Sequence, residues 1–421
     1  MTTPRLSLTT GGALLTALLL LTGYALAQSL TPTLTLLCEG LADPNGIVIG
    51  SGGVIYGTTY AGGSWGQAYS LTPPTSPGAP WTYTVLHSFT GGDGALPTGV
   101  LAIGRGGVLY GVTHLGGGGT GCFNNSCGVV YALIPPASSG GAWNFRVIYR
   151  FMTDASSRPA GVVVGAGGVL YGSTTYGNGT LFSLTPPASP GGAWTYTQLY
   201  SFTGGSDGSV PGALVIRRDG VLFGTTGGGG TGHGTVFSLT PPATPGGSWA
   251  LGTLYSFTGG SSGLGPSGLV IGTGGVLYGV MAQGGDPSCS ATYISGCGTV
   301  FAVAPPNSPG GSWVFNTLYR FTGGNDGYNP SGVVIGKNGG IVGTTYLGGP
   351  SVDNGTVFSL TPPGSPGEPW TKTIVYSFPG ITNGSNPPNG VVFGAGGTLY
   401  GTVYNDAGCV NGCGGVFLLT L

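Results

Sequence analysis

The sequence predicts an all-β fold, a seven-bladed β-propeller of four-stranded blades. A hairpin-like segment, Gly220 to Pro242 (GVLFGTTGGGGTGHGTVFSLTPP), has near-copies that bring its total to seven along the chain. Each copy is flanked by two further strand-like segments, and the whole unit repeats about every 50 residues. β-Branched and aromatic residues favour strands, and glycine clusters mark the turns between them. Four short strands at this period are typical of a propeller.

Four segments follow one another in each unit. Strand a is an apolar run that begins at Pro-x-Gly, strand b is G-x-LYGTT, and strand c is GTVFSLTPP. Strand d begins at a tryptophan and ends in LYSF or a variant of it. We place the repeat starts near residues 44, 97, 159, 211, 266, 330 and 388. The tryptophans are Trp81, Trp143, Trp194, Trp249, Trp313 and Trp370.

The two ends of the repeat array predict how the ring closes. Residues 28–43, ahead of the first strand a, contain only the strand-like TLTLLCEG, and the chain ends with a strand c, Val416 to Leu421, with no strand d after it. We therefore expect Thr33 to Leu37 to pair beside Val416 to Leu421 as the outer strand of the last blade. Residues 28–421 then form one domain without an open edge. A β-solenoid of stacked coils is the alternative, although its coils would be shorter and its ends would need caps.

The N-terminus has the pattern of a secretory signal peptide. Arg5 precedes an apolar run, Ala13 to Leu21, and Ala25-Leu26-Ala27 fits a cleavage site. The run is short for a membrane span, so residues 1–27 are predicted to be removed, with an uncleaved anchor as the alternative. No later run is long enough to cross a bilayer, and no C-terminal sorting tail is expected. We expect a secreted protein, extracellular or periplasmic.

The composition excludes some classes of partner. Charged residues make up 5% of the 421 residues and the formal net charge is −1, which is unsuited to binding nucleic acid. The hydrophobic fraction of 40% argues against a disordered glycine-rich chain. We expect a monomer that uses no cofactor.

Six of the seven cysteines form close pairs in the b–c loops: Cys122 with Cys127, Cys289 with Cys297, and Cys409 with Cys413. In an exported chain these predict three disulfides. Zinc is the alternative, but a structural zinc site needs four converging ligands and each loop offers two cysteines and no histidine, so no metal is expected. Cys38 has no such neighbour and is expected to be a buried thiol.

The repeat resembles known families. The order of Gly-Gly, Tyr/Phe and Trp resembles kelch repeats, and the Pro-x-Gly beginning resembles NHL repeats. More specifically, LYGTT…GG…GTVF…L resembles the GloVer tandem repeat of secreted bacterial proteins, over nearly the whole chain after residue 27. The resemblance implies an exported repeat protein of unassigned activity, often with a C-terminal anchor, and no such anchor is visible in this sequence.

Loop chemistry indicates which face carries a site. With strand a innermost, the b–c and d–a loops share one face, and they contain the cysteine pairs and most of the length variation. Variable loops on a rigid scaffold usually carry binding. We predict ligand contacts from Trp65, in a b–c loop outside the repeat pattern, and from residues that follow strand b at one repeat position. The latter are Tyr60, His114, Tyr176, Tyr346 and Tyr404. They could stack on sugars or grip a peptide, or each could pack on a neighbouring blade.

Catalysis is poorly supported. The d–a loop aspartates are Asp93, Asp154, Asp207 and Asp326, often in Asp-Gly, which is turn chemistry rather than a calcium site. The two glutamates, Glu39 and Glu368, lie in the N-terminal strand and in a c–d turn. His87, His114 and His233 have no neighbouring Ser/Asp arrangement in sequence, although a triad could assemble across blades.

Three functional hypotheses therefore remain open. The first is a secreted, non-enzymatic propeller that binds a surface glycan or a cell-surface protein. The alternatives are an extracellular carbohydrate-active hydrolase or lyase, and a structural surface or matrix protein. The six strand-d tryptophans are assigned a structural role, each folding over the c–d turn to cover strand c.

Overall fold

The computed structural model describes residues 32–421 except 77, 119–126, 139, 154–156, 190, 245, 292–293, 309, 351–352, 366, 381–383 and 405–412. The predicted signal peptide lies outside these residues. The described part contains β-strands and short 3₁₀ turns but no α-helix. Within that part, no helix has the length and hydropathy needed to cross a membrane.

Seven four-stranded antiparallel blades form a β-propeller, as predicted. Blade 1 contains Val48–Ile49, Ile55–Thr59, Gln67–Thr72 and Thr82–Ser88. Blade 2 contains Ala95–Ile103, Leu109–Leu115, Val129–Ile134 and Asn144–Arg150. Blade 3 contains Pro159–Val164, Leu170–Thr174, Thr180–Thr185 and Thr195–Ser201. In each blade, strands a to d run in this order from the inside outwards.

The remaining blades repeat this order. Blade 4 has a split strand a, Ser209–Pro211 and Val215–Ile216, then Leu222–Gly228, Thr235–Thr240 and Ala250–Ser256. Blade 5 contains Leu264–Ile271, Leu277–Gln283, Thr299–Ala304 and Val314–Arg320, with a small hairpin, Ser290–Ala291 and Ile294–Ser295, in its b–c loop. Blade 6 contains Tyr328–Ile335, Ile341–Leu347, Thr356–Thr361 and Thr371–Ser377. Blade 7 contains Val392–Phe393, Leu399–Val403, Cys413–Thr420 and the N-terminal Thr33–Ala42.

Among the described residues, the 3₁₀ turns occupy two kinds of connection. Six lie in a–b turns: Ser51–Gly53, Arg105–Gly107, Ala166–Gly168, Thr273–Gly275, Lys337–Gly339 and Ala395–Gly397. Two lie in d–a loops: Gly260–Ser262 and Gly324–Asp326.

The N-terminal strand closes the ring, which confirms the prediction. It pairs antiparallel with the last strand, with Thr33 opposite Thr420 and Leu36 opposite Phe417. The pairing shifts register twice between Leu36 and Leu41. Blade 7 thus takes three strands from the C-terminus and its outer strand from the N-terminus, which leaves no interrupted blade.

Glycine in strand b has a packing reason. A Cβ atom on Gly224 would lie 2.5 Å from Cζ of Phe237, its partner on strand c. The Phe237 ring therefore lies across the backbone of strand b and is completely buried. The LYG and GTVF motifs depend on each other, because a larger residue at the glycine would displace the ring.

The hydrophobic core lies between blades rather than within them. The cluster between blades 2 and 3, for example, joins Val130 and Phe151 to Leu170 and Phe182. The Phe151 and Phe182 rings meet edge to face at 5.4 Å. Burying one such ring contributes about 1.5–3 kcal/mol. Phe151 ends the LYSF-like motif of strand d, so this motif fastens each blade to the next.

The strand-d tryptophans have a second partner that the sequence did not predict. Each strand-d tryptophan is half-buried and packs against the core cluster that contains strand-c residues of its own blade. It also packs edge to face on the strand-b aromatic ring of the preceding blade. The Tyr110 and Trp194 rings, for example, lie 5.9 Å apart. The six pairs are Tyr56–Trp143, Tyr110–Trp194, Tyr171–Trp249, Phe223–Trp313, Tyr278–Trp370 and Tyr400–Trp81. The rings therefore join blades.

A second set of contacts between blades joins the outer strands, and Cys38 occupies one of its positions. Tyr149 of blade 2 stacks on Tyr196 of blade 3 at 4.6 Å. Cys38 has the Tyr149 position in the N-terminal strand and packs with Tyr83 in the core cluster between blades 7 and 1. It is half-buried, not fully buried as predicted, because the outer strand is only partly covered.

Candidate functional site

A ring of strained residues surrounds the start of the inner strands. The residue before the strand-a proline has a positive φ in every blade. These residues are Asp43 (50°), Leu96 (54°), Arg158 (61°), Val210 (56°), Gly265 (70°), Asn329 (55°) and Asn386 (53°). Non-glycine residues rarely adopt this conformation, and a following proline normally favours an extended one. Such strain persists only where the surrounding structure imposes it, and it concentrates at functional sites.

The preceding blade imposes this conformation. The Leu96 amide donates to the Trp65 carbonyl at 2.9 Å, and the Val210 amide donates to the Asn178 carbonyl at 2.9 Å. The glycine after each acceptor is in contact with the next proline, since a Cβ on Gly66 would lie 2.3 Å from Pro97 Cδ. The backbone is thus set by contacts that do not involve the side chain, which is free to vary from blade to blade.

In blade 7 the equivalent proline is Pro387. Asn386 before it has the positive φ, and a Cβ on Gly355 of blade 6 would lie 2.7 Å from Pro387 Cδ. The Pro-x-Gly motif of this blade begins one residue later, at Pro388, so the blade carries one extra residue here.

A second ring follows strand b on the same face. The Tyr60 amide donates to the Asp43 carbonyl at 2.8 Å, and the Thr175 amide donates to the Arg158 carbonyl at 3.0 Å. Counted three residues from the strand-b glycine, this ring is Tyr60, His114, Thr175, Gly227, Ala282, Tyr346 and Tyr404. The assignment of Tyr176 to the same repeat position is therefore wrong, because blade 3 places Thr175 there and Tyr176 one residue later.

Tyrosines of blades 6, 7 and 1 lie near Asp43, because the charge of its carboxylate acts on Tyr346 and Tyr404 and its carbonyl accepts from the Tyr60 amide. The Tyr346 and Tyr404 rings lie 6.1 Å apart, almost perpendicular. Burial raises the pKa of Tyr404, and the charges of Asp43, Tyr346 and Tyr60 raise it further. Burial and then Asp43 raise the pKa of Tyr346. Tyr60 is 38% exposed, so the arc that these rings form is open to solvent.

Blades 2 and 3 add two basic residues, His114 and Arg158, to this face. The Arg158 guanidinium carbon lies 5.2 Å from the centre of the Tyr176 ring. Burial lowers the pKa of His114, and the positive charge of Arg158 lowers it further. His114 therefore lies near Arg158 and is neutral at pH 7.

Blades 4 and 5 have only small residues at their positions in the second ring. They place Gly227 and Ala282 where blades 1, 2, 6 and 7 have tyrosine or histidine, and Val210 of blade 4 is 43% exposed. We call the whole arrangement the axial site, formed by Asp43, Tyr60, His114, Arg158, Tyr176, Tyr346 and Tyr404. Sequence reasoning found its aromatic members and His114 but missed Asp43 and Arg158. The signal was present as a chemically varied residue before an otherwise constant proline.

Trp65 belongs to the repeat, contrary to the prediction. Its carbonyl has the same role as that of Asn178, so it has an equivalent position in every such b–c loop. Its ring lies over the d–a loop, where a Cβ on Gly91 would be 3.3 Å from Trp65 Cε2. Asn178 covers Gly204 of blade 3 in the same way. Trp65 is nevertheless 46% exposed on this face.

The d–a aspartates that the structure describes hold turns, as the Asp-Gly pattern indicates. Asp207 accepts hydrogen bonds from the Thr203 amide at 2.8 Å, the Thr203 hydroxyl at 2.6 Å and the Tyr200 hydroxyl at 3.0 Å. Asp93 bonds the Thr90 amide and His87. Asp326 has the same turn contacts as Asp207 and a bond from Lys372. Asp154 lies outside the described residues.

No cluster of three or more His, Cys, Asp or Glu side chains suited to a metal occurs in the described part of the chain. The predicted Cys289–Cys297 pair forms a disulfide with a Cα separation of 5.7 Å. This bridge covers Gly323 of the d–a loop. Cys127 is disulfide-bonded, and its predicted partner Cys122 lies outside the described residues. The Cys409–Cys413 pair stays a prediction, since Cys409 is not described either.

Open clefts also occur elsewhere on the propeller. One of about 820 Å³ lies between blades 6 and 7 and is lined by Val342, Phe393 and Leu421, with Lys337 at its rim. Another, of about 510 Å³, lies between blades 2 and 3 beside Tyr110 and Trp194. Both are on the face of the a–b and c–d turns. Their walls are mainly apolar packing residues and glycine, whereas the axial site brings together charged, aromatic and strained residues.

The fold and this site define a tandem-repeat β-propeller with one chemically varied opening. The chain belongs to the Gloeobacter/Verrucomicrobia repeat family, whose model matches residues 24–237 and 175–417. None of the curated proteins matches the chain.

Solved structures share the fold at low sequence identity. Virginiamycin B lyase from Staphylococcus aureus is similar with a TM-score of 0.58 and 13% identity, over 93% of this chain and 99% of the other. A candidate 6-phosphogluconolactonase from Bacteroides uniformis has a TM-score of 0.50 and 17% identity, over 86% and 90%. The extracellular domain of a candidate one-component system from B. thetaiotaomicron has a TM-score of 0.53 and 12% identity, over 90% and 40%. At these identities the likeness shows the fold alone.

Proposed function

We propose that this chain is a secreted binding module that takes a glycan at the axial site. The observation that carries the proposal is the arc of Tyr60, Tyr346 and Tyr404 around Asp43. Tyrosine rings stack on the apolar faces of sugars, and their hydroxyl groups bond sugar hydroxyls. The Asp43 carboxylate adds a strong acceptor for sugar hydroxyls at the same place.

The carboxylates near the arc favour binding over catalysis, because Asp43 has no second free carboxylate opposite it among the described d–a aspartates. Glycoside hydrolysis generally uses two carboxyl groups on opposite sides of one bond. Asp43 is the carboxylate whose charge acts on both Tyr346 and Tyr404. The described d–a aspartates are engaged in their own turns. A purely structural role would be expected to give a featureless rim, and the arc supports a ligand instead.

The test is a binding screen of residues 28–421 against neutral and acidic oligosaccharides, followed by calorimetry on the best ligand. The Tyr346→Ala/Tyr404→Ala double variant should bind at least about tenfold more weakly, since it loses both stacking faces, about 1.4 kcal/mol in total. Product analysis of the same mixtures tests for cleavage.

The matched control is Tyr346→Phe/Tyr404→Phe, which keeps the rings and removes the hydroxyl groups. It should retain most of the affinity if stacking dominates. Melting curves must show that all variants are folded. Unchanged affinity in the folded alanine variant, or no glycan binding by the parent chain, would refute the proposal.

A further inference from the structure

We propose that the axial site recognises a carboxylated sugar, a uronic acid within a glycan, and that Arg158 binds the sugar carboxylate. This inference rests on the proposed function and names the class of glycan. It is carried by the position of Arg158, two blades from Asp43 around the same ring, and by the way in which its backbone and side chain are held.

The Arg158 backbone is fixed at three points. Its amide donates to the Cys127 carbonyl at 3.0 Å, and its carbonyl accepts from the Thr175 amide and the Thr175 hydroxyl, both at 3.0 Å. The residue is held at a φ of 61°, which a long side chain rarely adopts. The structure thus presents an arginine rigidly at the opening, and pre-organisation of this kind lowers the entropic cost of binding.

The Arg158 side chain is supported by a ring, and no acidic side chain among the described residues forms an ion pair with it. The guanidinium carbon lies 5.2 Å from the centre of the Tyr176 ring, and the residue as a whole is half-buried. The ion pairs among the described residues join Asp93 to His87, Asp219 to Arg217 and Asp326 to Lys372, and none involves Arg158. Arginine prefers a planar, two-oxygen acceptor, and a carboxylate fits that fork with two parallel hydrogen bonds.

The groups around Arg158 favour an acidic sugar over a simple anion. His114 beside it is kept neutral, so it can donate or accept a hydrogen bond with a sugar hydroxyl. The tyrosine arc begins in blade 1, next to the blade of His114, and its rings offer flat apolar faces. Asp43 repels a second carboxylate, which orients the ligand so that its acid group points to Arg158 and its hydroxyl groups point to the arc.

The experiment measures affinity for three matched probes with the chain 28–421. They are an oligogalacturonate, the same oligosaccharide with its carboxyl groups reduced to alcohols, and a sulfated oligosaccharide of equal length. We expect the oligogalacturonate to bind at least tenfold more tightly than its reduced counterpart. Raising the salt concentration should reduce that preference, because the charged contact is partly exposed.

Two arginine variants locate the contact. Arg158→Gln should abolish the preference, so that the carboxylated and the reduced probe bind the variant with equal affinity. Arg105→Gln is the control, since Arg105 is exposed in an a–b turn on the opposite face, and it should keep the preference. The His114 imidazole signal, assigned by comparison with His114→Gln, should shift towards the protonated form when the carboxylated probe binds.

The outcomes separate the two proposals. Equal affinity for the carboxylated and reduced probes, or an Arg158→Gln variant that keeps the preference, overturns the uronic acid inference. The proposed function survives that result if Tyr346→Ala/Tyr404→Ala still weakens binding. A preference for the sulfated probe that depends on Arg158 contradicts the carboxylate assignment. Failure of the parent chain to bind any oligosaccharide overturns both proposals.

Discussion

On the face of the a–b and c–d turns, six blade junctions carry the same contact, a strand-d tryptophan against a strand-b aromatic ring. On the opposite face, the residue before the strand-a proline has the same backbone conformation in each blade, yet its side chain is acidic, basic, amide, apolar or absent. The first face therefore repeats a side-chain contact from blade to blade. At the residue before the proline, the second face repeats only a backbone conformation. This difference separates the scaffold from the site, because contacts made by side chains restrict their identity and contacts made by backbone do not.

The closing strand should show the largest effect on the scaffold. Deleting residues 28–40 removes most of Thr33–Ala42 and exposes the edge of Cys413–Thr420. Open edges pair with other chains, so the shortened protein should aggregate or lose its cooperative melting transition. Soluble yield and calorimetric melting measure this. Unchanged solubility and melting would contradict closure by this strand.

A matched pair of substitutions sharpens that test. Leu34 and Leu36 face the core between blades 6 and 7, whereas Thr33 and Thr35 are exposed on the same strand. Leu34→Lys/Leu36→Lys should lower the melting temperature strongly, because it places two charges against apolar residues. Thr33→Lys/Thr35→Lys should have little effect.

The fold could be predicted from the sequence because the motifs that determine it recur in every blade. The LYG and GTVF motifs, a proline before each strand a and a glycine-rich turn occur in every blade in some form, so local pattern and global topology agree. The spare strand at the N-terminus predicted closure for the same reason, since Thr33–Ala42 has the spacing of a strand d.

The site was predicted only in part, and the misses have a common cause. Asp43 and Arg158 occupy positions that look like loop residues, and their importance comes from a positive φ imposed by the preceding blade. No sequence pattern records a contact between blades. The same limitation explains why the second partner of the tryptophans was missed. Trp194 was assigned to its own blade alone, although it also packs on Tyr110 of the blade before it.

A buried ion pair should show the next largest effect. Lys372 is 5% exposed, lies over Phe321 and bonds Asp326 at 2.6 Å. Asp326→Asn leaves this cation unpaired and should lower the free energy of unfolding by about 3 kcal/mol. Asp207→Asn is the control, because Asp207 has the same turn contacts without a lysine, and it should cost about 1 kcal/mol. Denaturant titration measures both, and equal losses would mean that Lys372 does not depend on Asp326.

The same lysine predicts a pH dependence. Burial lowers the pKa of Lys372 below its ordinary value, although Asp326 opposes this shift. Between the lowered folded pKa and the unfolded value of about 10.4, the unfolded chain holds more protons, so the free energy of unfolding rises with pH in that window. Lys372→Leu, which copies Leu251 of blade 4, should remove this rise. A parallel pH profile in the variant would contradict the assignment.

The smallest effects compare one tryptophan from each face. Trp194 is half-buried and packs on Tyr110, so Trp194→Ala should lower the free energy of unfolding by about 2 kcal/mol, less than a fully buried tryptophan would. Its glycan affinity per folded molecule should be unchanged. Trp65→Ala should cost less than about 1 kcal/mol, because the ring is 46% exposed and covers only a glycine.

Trp65→Asn separates the two roles that the Trp65 position allows. Asparagine occurs at the same position as Asn178, where it bonds the Thr203 carbonyl and covers the d–a loop. The variant should therefore restore any stability lost in Trp65→Ala without restoring the ring. If glycan affinity falls equally in both variants, Trp65 contacts the ligand at the outer edge of the axial site. If affinity recovers with stability in Trp65→Asn, the ring is a loop cover, and the ligand is bound by the tyrosine arc and Arg158.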